Sequence, residues 1–320
     1  MTAWRGVTGC VAVLMALFLN AGADQDNPSK PKEGQQDYII RTTSRLVLLD
    51  VSVKNPHGGF VAGLKKNDFQ VFEDGKVQEI TQFADSDIPV TVGLVVDESG
   101  SMFPKRTEVI EAALSFIQAS NPHDEIFVIN FNERARRGLP DPLLFSDDIQ
   151  KLRDALWRGR PEGRTALYDA MEMALHQLNM GRRDKKTLVL VSDGGDNISK
   201  HTLKEVNDDV LKSLATVYTI GIFDEDDPER NPRVLEQLAH VSGGEVFFPK
   251  SLKEIGPICT QIAKDIRTRY TIGYLPPPEG KAMRHIKVVA MSPNREKLVV
   301  RTRTGYLFTA DSAVGSGAGK

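Results

Sequence analysis

The rhythm of apolar and polar residues changes twice along the chain. Within residues 46–54, Val47, Leu49, Val51 and Val53 alternate with residues on an opposite face, the period of a strand. Asn55-Pro-His-Gly-Gly59 is turn chemistry. Phe69-Gln-Val-Phe72 and Val77-Gln-Glu-Ile80 flank Asp74-Gly75, which predicts a hairpin. From Val90 the alternation stops. Residues 90–96 form a nearly continuous apolar run, the mark of a strand buried on both faces. Helical spacing follows over 104–119, with Val109, Ala112, Ala113, Phe116 and Ile117 on one side. Strands are then predicted at 125–131, 187–191, 216–223 and 245–248. Helices are predicted at 147–157, 166–179, 202–213, 230–241 and 251–267. After Arg269 the β rhythm returns at 270–275, 285–290 and 297–302, with breaks at Pro276-Pro-Pro278 and Ser292-Pro-Asn294.

Strands alternating with helices predict an α/β fold with a doubly wound, mostly parallel sheet over 89–267. Each flanking β segment holds about three strands, too few for a core of its own. Segments 38–88 and 268–309 are therefore expected to pack together as one small β-sandwich, with the α/β part inserted between them; separate appendages are the alternative.

The ends differ in character. Residues 1–23 pair Arg5 with a ten-residue apolar run from Cys10 to Leu19 and the small residues Ala21-Gly-Ala23. That pattern predicts a secretory signal, too short to span a bilayer. A retained anchor is the competing reading. Residues 24–37 hold no large apolar side chain and read as a disordered linker, as do the small, polar residues 310–320. The expected location is outside the cytoplasm, secreted or in the periplasm or cell envelope, with no transmembrane helix once the signal is cut. A cleaved chain keeps one cysteine, Cys259, so no disulfide framework is available and the core must hold the fold. Cys259 falls in a helical apolar pattern and is expected to be buried.

Composition adds exclusions. The chain is 320 residues long, 40% hydrophobic and 26% charged, with a formal net charge of -2. Near balance gives no electrostatic case for nucleic acid. The six histidines lack zinc-site spacing, and there is no Gly-x-x-x-x-Gly-Lys phosphate loop. Asp224-Glu-Asp-Asp227 is either a solvated acidic loop or a second cation site.

Three strand-end loops carry oxygen ligands: Asp97-Glu-Ser99-Gly-Ser101, Gly163-Arg-Thr165-Ala-Leu-Tyr-Asp169 and Ser192-Asp193-Gly194-Gly195. Ligands of open α/β sheets bind at such ends, where strand order reverses. Hydroxyl and carboxylate oxygens are hard donors, suited to Mg²⁺, Mn²⁺ or Ca²⁺. Asp97, Ser99, Ser101, Thr165 and Asp193 are the candidate ligands, with Mg²⁺ the first choice. An open coordination position would accept a partner's Asp or Glu. Singly, each loop is ordinary turn or cap chemistry. An Asp-nucleophile phosphotransferase would need a second Asp at position 99, where Ser99 is a poor proton donor.

Residues 90–267 resemble von Willebrand factor type A domains, whose metal-ion-dependent adhesion site has the pattern Asp-x-Ser-x-Ser, then Thr, then Asp. Asp97, Ser99, Ser101, Thr165 and Asp193 match it. The flanks, Gly63-Leu-Lys-Lys-Asn-Asp-Phe-Gln-Val-Phe-Glu-Asp-Gly75 and Arg269-Tyr-Thr-Ile-Gly-Tyr274, resemble a subgroup of exported bacterial proteins with this domain. The resemblance implies a non-enzymatic protein-binding module that bridges through its cation to an acidic residue of a partner. In some members the last helix shifts. A metal-independent envelope scaffold is the alternative. Glu98 and Arg164 are the further candidates for partner contact. Arg164 departs from the small residue common before the Thr, and either weakens the cation site or reaches a partner carboxylate.

Overall fold

A computed structural model describes residues 46–223, 228–292 and 297–308. The predicted signal, linker, acidic loop 224–227 and tail lie outside the described residues. The first flank gives β1 (Val47–Lys54), β2 (Phe69–Glu73), β3 (Lys76–Gln78) and β4 (Ile80–Ala84). Next come β5 (Val90–Asp97), α1 (Arg106–Ala119), β6 (Glu125–Phe131), β7 (Ala135–Arg137), α2 (Ile149–Trp157), α3 (Leu167–Asn179) and β8 (Lys185–Ser192). They are followed by α4 (Leu203–Ser213), β9 (Thr216–Gly221), α5 (Pro232–Ser242), β10 (Val246–Phe247) and α6 (Ile255–Thr268). The second flank gives β11 (Tyr270–Tyr274), β12 (Met283–Ala290), β13 (Val299–Arg301) and β14 (Gly305–Leu307).

The central sheet has the order β10-β9-β8-β5-β6-β7 and is parallel except for the short edge strand β7. All eight residues of β5 are buried, as its unbroken apolar run requires. The helices pack in two groups, α6-α1-α2 and α3-α4-α5. After β5 the chain moves to β6 on one side; after β8 it moves to β9 on the other. The order therefore reverses between β5 and β8, and the crevice beyond their carboxyl ends is the switch point of the sheet.

The two flanks share eight strands in two antiparallel sheets, β13-β1-β11-β4 and β14-β12-β2-β3. Val47, Leu49 and Ile272 from the first sheet and Val71, Ile286 and Val288 from the second enter one buried cluster. Asp74 and Gly75 both take positive φ, 46° and 80°, in the β2–β3 turn. The expected second hairpin strand at 77–80 divides instead. β3 stays with β2, while Ile80 turns into the shared core and pairs with Tyr274 of the opposite sheet.

Polar groups close both cores. Within the sandwich, buried Glu73 accepts from Tyr274 (2.6 Å), Tyr306 (2.8 Å) and Arg284 (2.7 Å). Where the sandwich meets the α/β fold, buried Asp265 of α6 accepts from Ser52 (2.6 Å), Tyr218 (2.6 Å) and Arg269 (3.2 Å). Nearby, Glu245 pairs with both Lys54 and Arg301 of the sandwich.

Candidate functional site

β5 ends on Asp97, and the chain turns at once into a short 3-10 segment, Gly100–Lys105, before α1. Pro104 sits in that segment, so the regular helix starts at Arg106 rather than at 104. The turn folds Ser99 back onto the strand end: its amide donates to Asp97 Oδ1 at 2.8 Å. The hydroxyls of Ser99 and Ser101 lie 3.1 Å apart, and Ser101 Oγ donates to Asp193 Oδ2 at 2.7 Å. Asp193 follows β8, and its other oxygen takes the Gly195 amide at 2.9 Å. Ser192 Oγ closes the set on Asp97 Oδ2 at 2.6 Å. One continuous string of oxygens thus joins the two loops across the switch point.

Thr165 is buried beside the start of α3. Its backbone is held on both sides by Asn197: Thr165 N donates to Asn197 Oδ1 at 3.0 Å, and Asn197 N donates to the Thr165 carbonyl at 3.0 Å. Among the described residues its hydroxyl makes no hydrogen bond to the other four candidates. Four of the five predicted residues are therefore joined directly, and the fifth is fixed to the Asp193 loop through Asn197.

Glu98, expected at the partner surface, is turned inward. It is 2% exposed, with Arg106 at 3.3 Å and Arg136 at 3.9 Å from its carboxylate. A Cβ placed on Gly159 would lie 1.4 Å from Glu98 Oε2, so the side chain fills the space that a glycine leaves. Alternation along a tight loop explains this: Asp97, Ser99 and Ser101 share one direction and Glu98 takes the other. Arg164 is exposed, and its guanidinium donates to the Asn197 carbonyl. Ser192 and Asn197 carry structural roles that the sequence reading did not assign. Both stand in the same short stretch as Asp193, and that was their only signal.

Burial, reinforced by Asp193 beside it, pushes the Asp97 carboxyl up to about 7, against lowering by the hydrogen bonds of Ser192 and Ser99. Two carboxylates and a row of hydroxyls are thus packed together at the end of β5. Among the described residues no group of three or more His, Cys, Asp or Glu is arranged to hold a metal ion. Whatever chemistry this site has rests on mixed carboxylate and hydroxyl oxygens.

Residues 92–195 match the family model of the von Willebrand factor type A domain. The Synechocystis protein sll0103 is 28% identical over 176 residues, covering 53% of this chain and 40% of that protein. Bovine inter-alpha-trypsin inhibitor heavy chain H4 is 25% identical over 140 residues, covering 40% of this chain and 15% of that protein. The chain thus spans less than half the length of either relative. Among solved structures, the von Willebrand factor type A protein from Catenulispora acidiphila superposes with a TM-score of 0.50 at 15% identity, covering 85% of this chain and 76% of that one. That likeness concerns the fold, and it extends beyond the α/β portion into the flanking sheets. By its sheet order, its strand-end loops and the match over residues 92–195, the chain carries a von Willebrand factor type A domain.

Proposed function

We propose that this chain is an exported protein-binding module that holds a divalent cation at Asp97, Ser99, Ser101, Thr165 and Asp193 and uses it to bridge to an acidic residue of a partner. The observation that carries the reading is the pair of buried carboxylates, Asp97 and Asp193, strung together by serine hydroxyls at the switch point. The residues fit a hard cation. Two negative charges balance a divalent ion, every side-chain donor is oxygen, and the serine hydroxyls can turn from one another to an ion without moving the backbone. When bound, the cation supplies a Lewis-acidic position for a carboxylate from outside. The chain's own residues orient the loops. Mg²⁺ is the first candidate, with Mn²⁺ and Ca²⁺ behind it.

A transferase reading has less support. Ser99 occupies the place of the acid/base, and its hydroxyl is already engaged with Ser101. Export rests on the pattern of residues 1–23, and cleavage after Ala23 predicts a mature chain that begins at Asp24, a point N-terminal sequencing decides.

Isothermal titration of the mature chain with Mg²⁺ and Mn²⁺ tests the cation site. One ion per chain is expected, with Asp97→Ala abolishing the heat and Ser99→Ala weakening it by about tenfold or more. If neither ion binds, the site is a metal-independent scaffold and the proposal is wrong.

A further inference from the structure

Around the Asp97–Ser101 loop the chain departs from its balanced composition. Residues 132–137 and 157–164 hold six arginines against two glutamates, Glu133 and Glu162, in a chain of net charge -2. The segments form one surface with the candidate cation loop. Gly100 N donates to the Gly163 carbonyl (3.1 Å), Glu162 N to the Glu98 carbonyl (3.0 Å), and Ala166 N to the Asn132 carbonyl (2.7 Å).

The arginines fall into two groups. Arg137 is paired with Asp141, and Arg158 holds the Gly138 carbonyl. Arg134, Arg160 and Arg164 are exposed and make no ion pair among the described residues, while Arg136 keeps a half-exposed side chain and only a 3.9 Å approach to Glu98. Guanidinium groups left in water beside a charged site are not needed for folding, since exposed ion pairs contribute little stability. Two exposed aromatic rings accompany them. Phe103, two residues past Ser101, is 70% exposed, and Trp157 is 44% exposed with Arg106 stacked over it at 5.1 Å.

We infer that this face receives an acidic segment of a partner protein: a stretch with several Asp or Glu side chains and at least one apolar one. One carboxylate meets the cation, others meet the forks of Arg134, Arg136 and Arg160, and the apolar side chain covers Phe103. The inference rests on the cation reading above and adds to it the chemistry of the rest of the ligand. Guanidinium forks match carboxylates in pairs of parallel hydrogen bonds. Arginine with exposed aromatics is the composition of protein-binding hot spots. A nucleic acid fits less well, because the chain as a whole has a formal net charge of -2 and phosphate-backbone binding favours a strongly basic chain.

Fluorescence anisotropy tests the surface with three probes: a short synthetic peptide of Asp, Glu, Leu and Phe, its Asn/Gln counterpart, and a single-stranded DNA oligonucleotide. Each is titrated with the full mature chain in Mg²⁺ and in EDTA. The acidic peptide is expected to bind, the other two not, and added salt is expected to weaken binding. Arg134→Glu with Arg160→Glu should weaken the peptide by about tenfold or more, and Phe103→Ala by several-fold, with Mg²⁺ titration and circular dichroism unchanged. No peptide binding, an indifferent double variant, or oligonucleotide binding as tight as the peptide's overturns the proposal. Arginine-dependent peptide binding that persists in EDTA, in a chain that takes up no Mg²⁺, overturns the cation reading while leaving the surface in place.

Discussion

Cys259 sits on the inner side of α6 at 2% exposure, and burial pushes its thiol up to about 12. A thiol so placed has almost no thiolate at neutral pH and no path to a reagent. A chain that begins at Asp24, with Cys259 as its one cysteine, should therefore resist iodoacetamide at pH 7.5 and take up one equivalent in urea; labelling of the folded protein at the rate of a free thiol would contradict the packing. Gly243 is constrained in the opposite sense, by backbone. It caps α5 at φ 79°, and a Cβ there would lie 2.2 Å from Arg303 N and from Thr302 C. Gly243→Ala should cost about 3 kcal/mol in urea unfolding, combining left-handed strain with a clash that neither backbone can relieve. A loss under about 0.5 kcal/mol would mean that the 302–303 segment yields easily. At this scale the sequence was partly legible. The burial of Cys259 followed from helical spacing. The inward turn of Glu98 did not, because its exposed or buried state depends on which way one tight loop is facing.

Elements were more legible than their edges. The strand expected at 125–131 has those bounds, and the parallel strands and helices of the α/β part all lie where the change from unbroken apolar runs to helical spacing placed them. Three short strands were missed. β7 and β14 have three residues each, less than the window over which a period shows itself, and β4 was merged into the hairpin because sequence does not reveal a strand that changes sheets. Helix α6 carries the sharpest prediction at this scale. Burial acts to raise the Asp265 carboxyl, but Arg269, Ser52 and Tyr218 outweigh it and hold the group below its ordinary 3.8. A depressed carboxyl contributes stability above its unfolded value and loses it as the pH falls through the folded one, so this contribution persists at neutral pH and fades only below 3.8. Asp265→Ala leaves Arg269 buried without its carboxylate and should cost about 3–5 kcal/mol at neutral pH, read from urea unfolding. An unchanged midpoint would show that Arg269 finds its balance elsewhere.

The whole molecule has two apolar cores, one around the central sheet and one between the flanking sheets. The α/β class and the meeting of the flanks were readable from the double change of rhythm and from the rule that three strands are too few alone. The join itself was not readable. Its members, Ser52, Tyr218, Glu245, Asp265, Arg269 and Arg301, are scattered over most of the chain, and polar residues give no periodic sign of whom they will meet.

One pairing in the flanking sheets decides how tension applied to the chain would pass through it. The chain leaves the sandwich for the α/β fold at β4 and returns at β11, and these strands run side by side with Ala84 opposite Thr271. In chain connectivity the α/β fold is therefore a loop that starts and ends at two adjacent points, and the polar join through Asp265 and Glu245 fastens it to the sandwich as well. Tension along the chain from residue 46 to residue 308 passes through the strands of the sandwich and bypasses the loop until the β4–β11 ladder shears. A pull on the Asp97–Ser101 face, by contrast, divides between these two neighbouring strands and the polar join of Ser52, Lys54 and Arg301 with Asp265 and Glu245. Under end-to-end tension the α/β fold keeps its shape while the sandwich takes the strain.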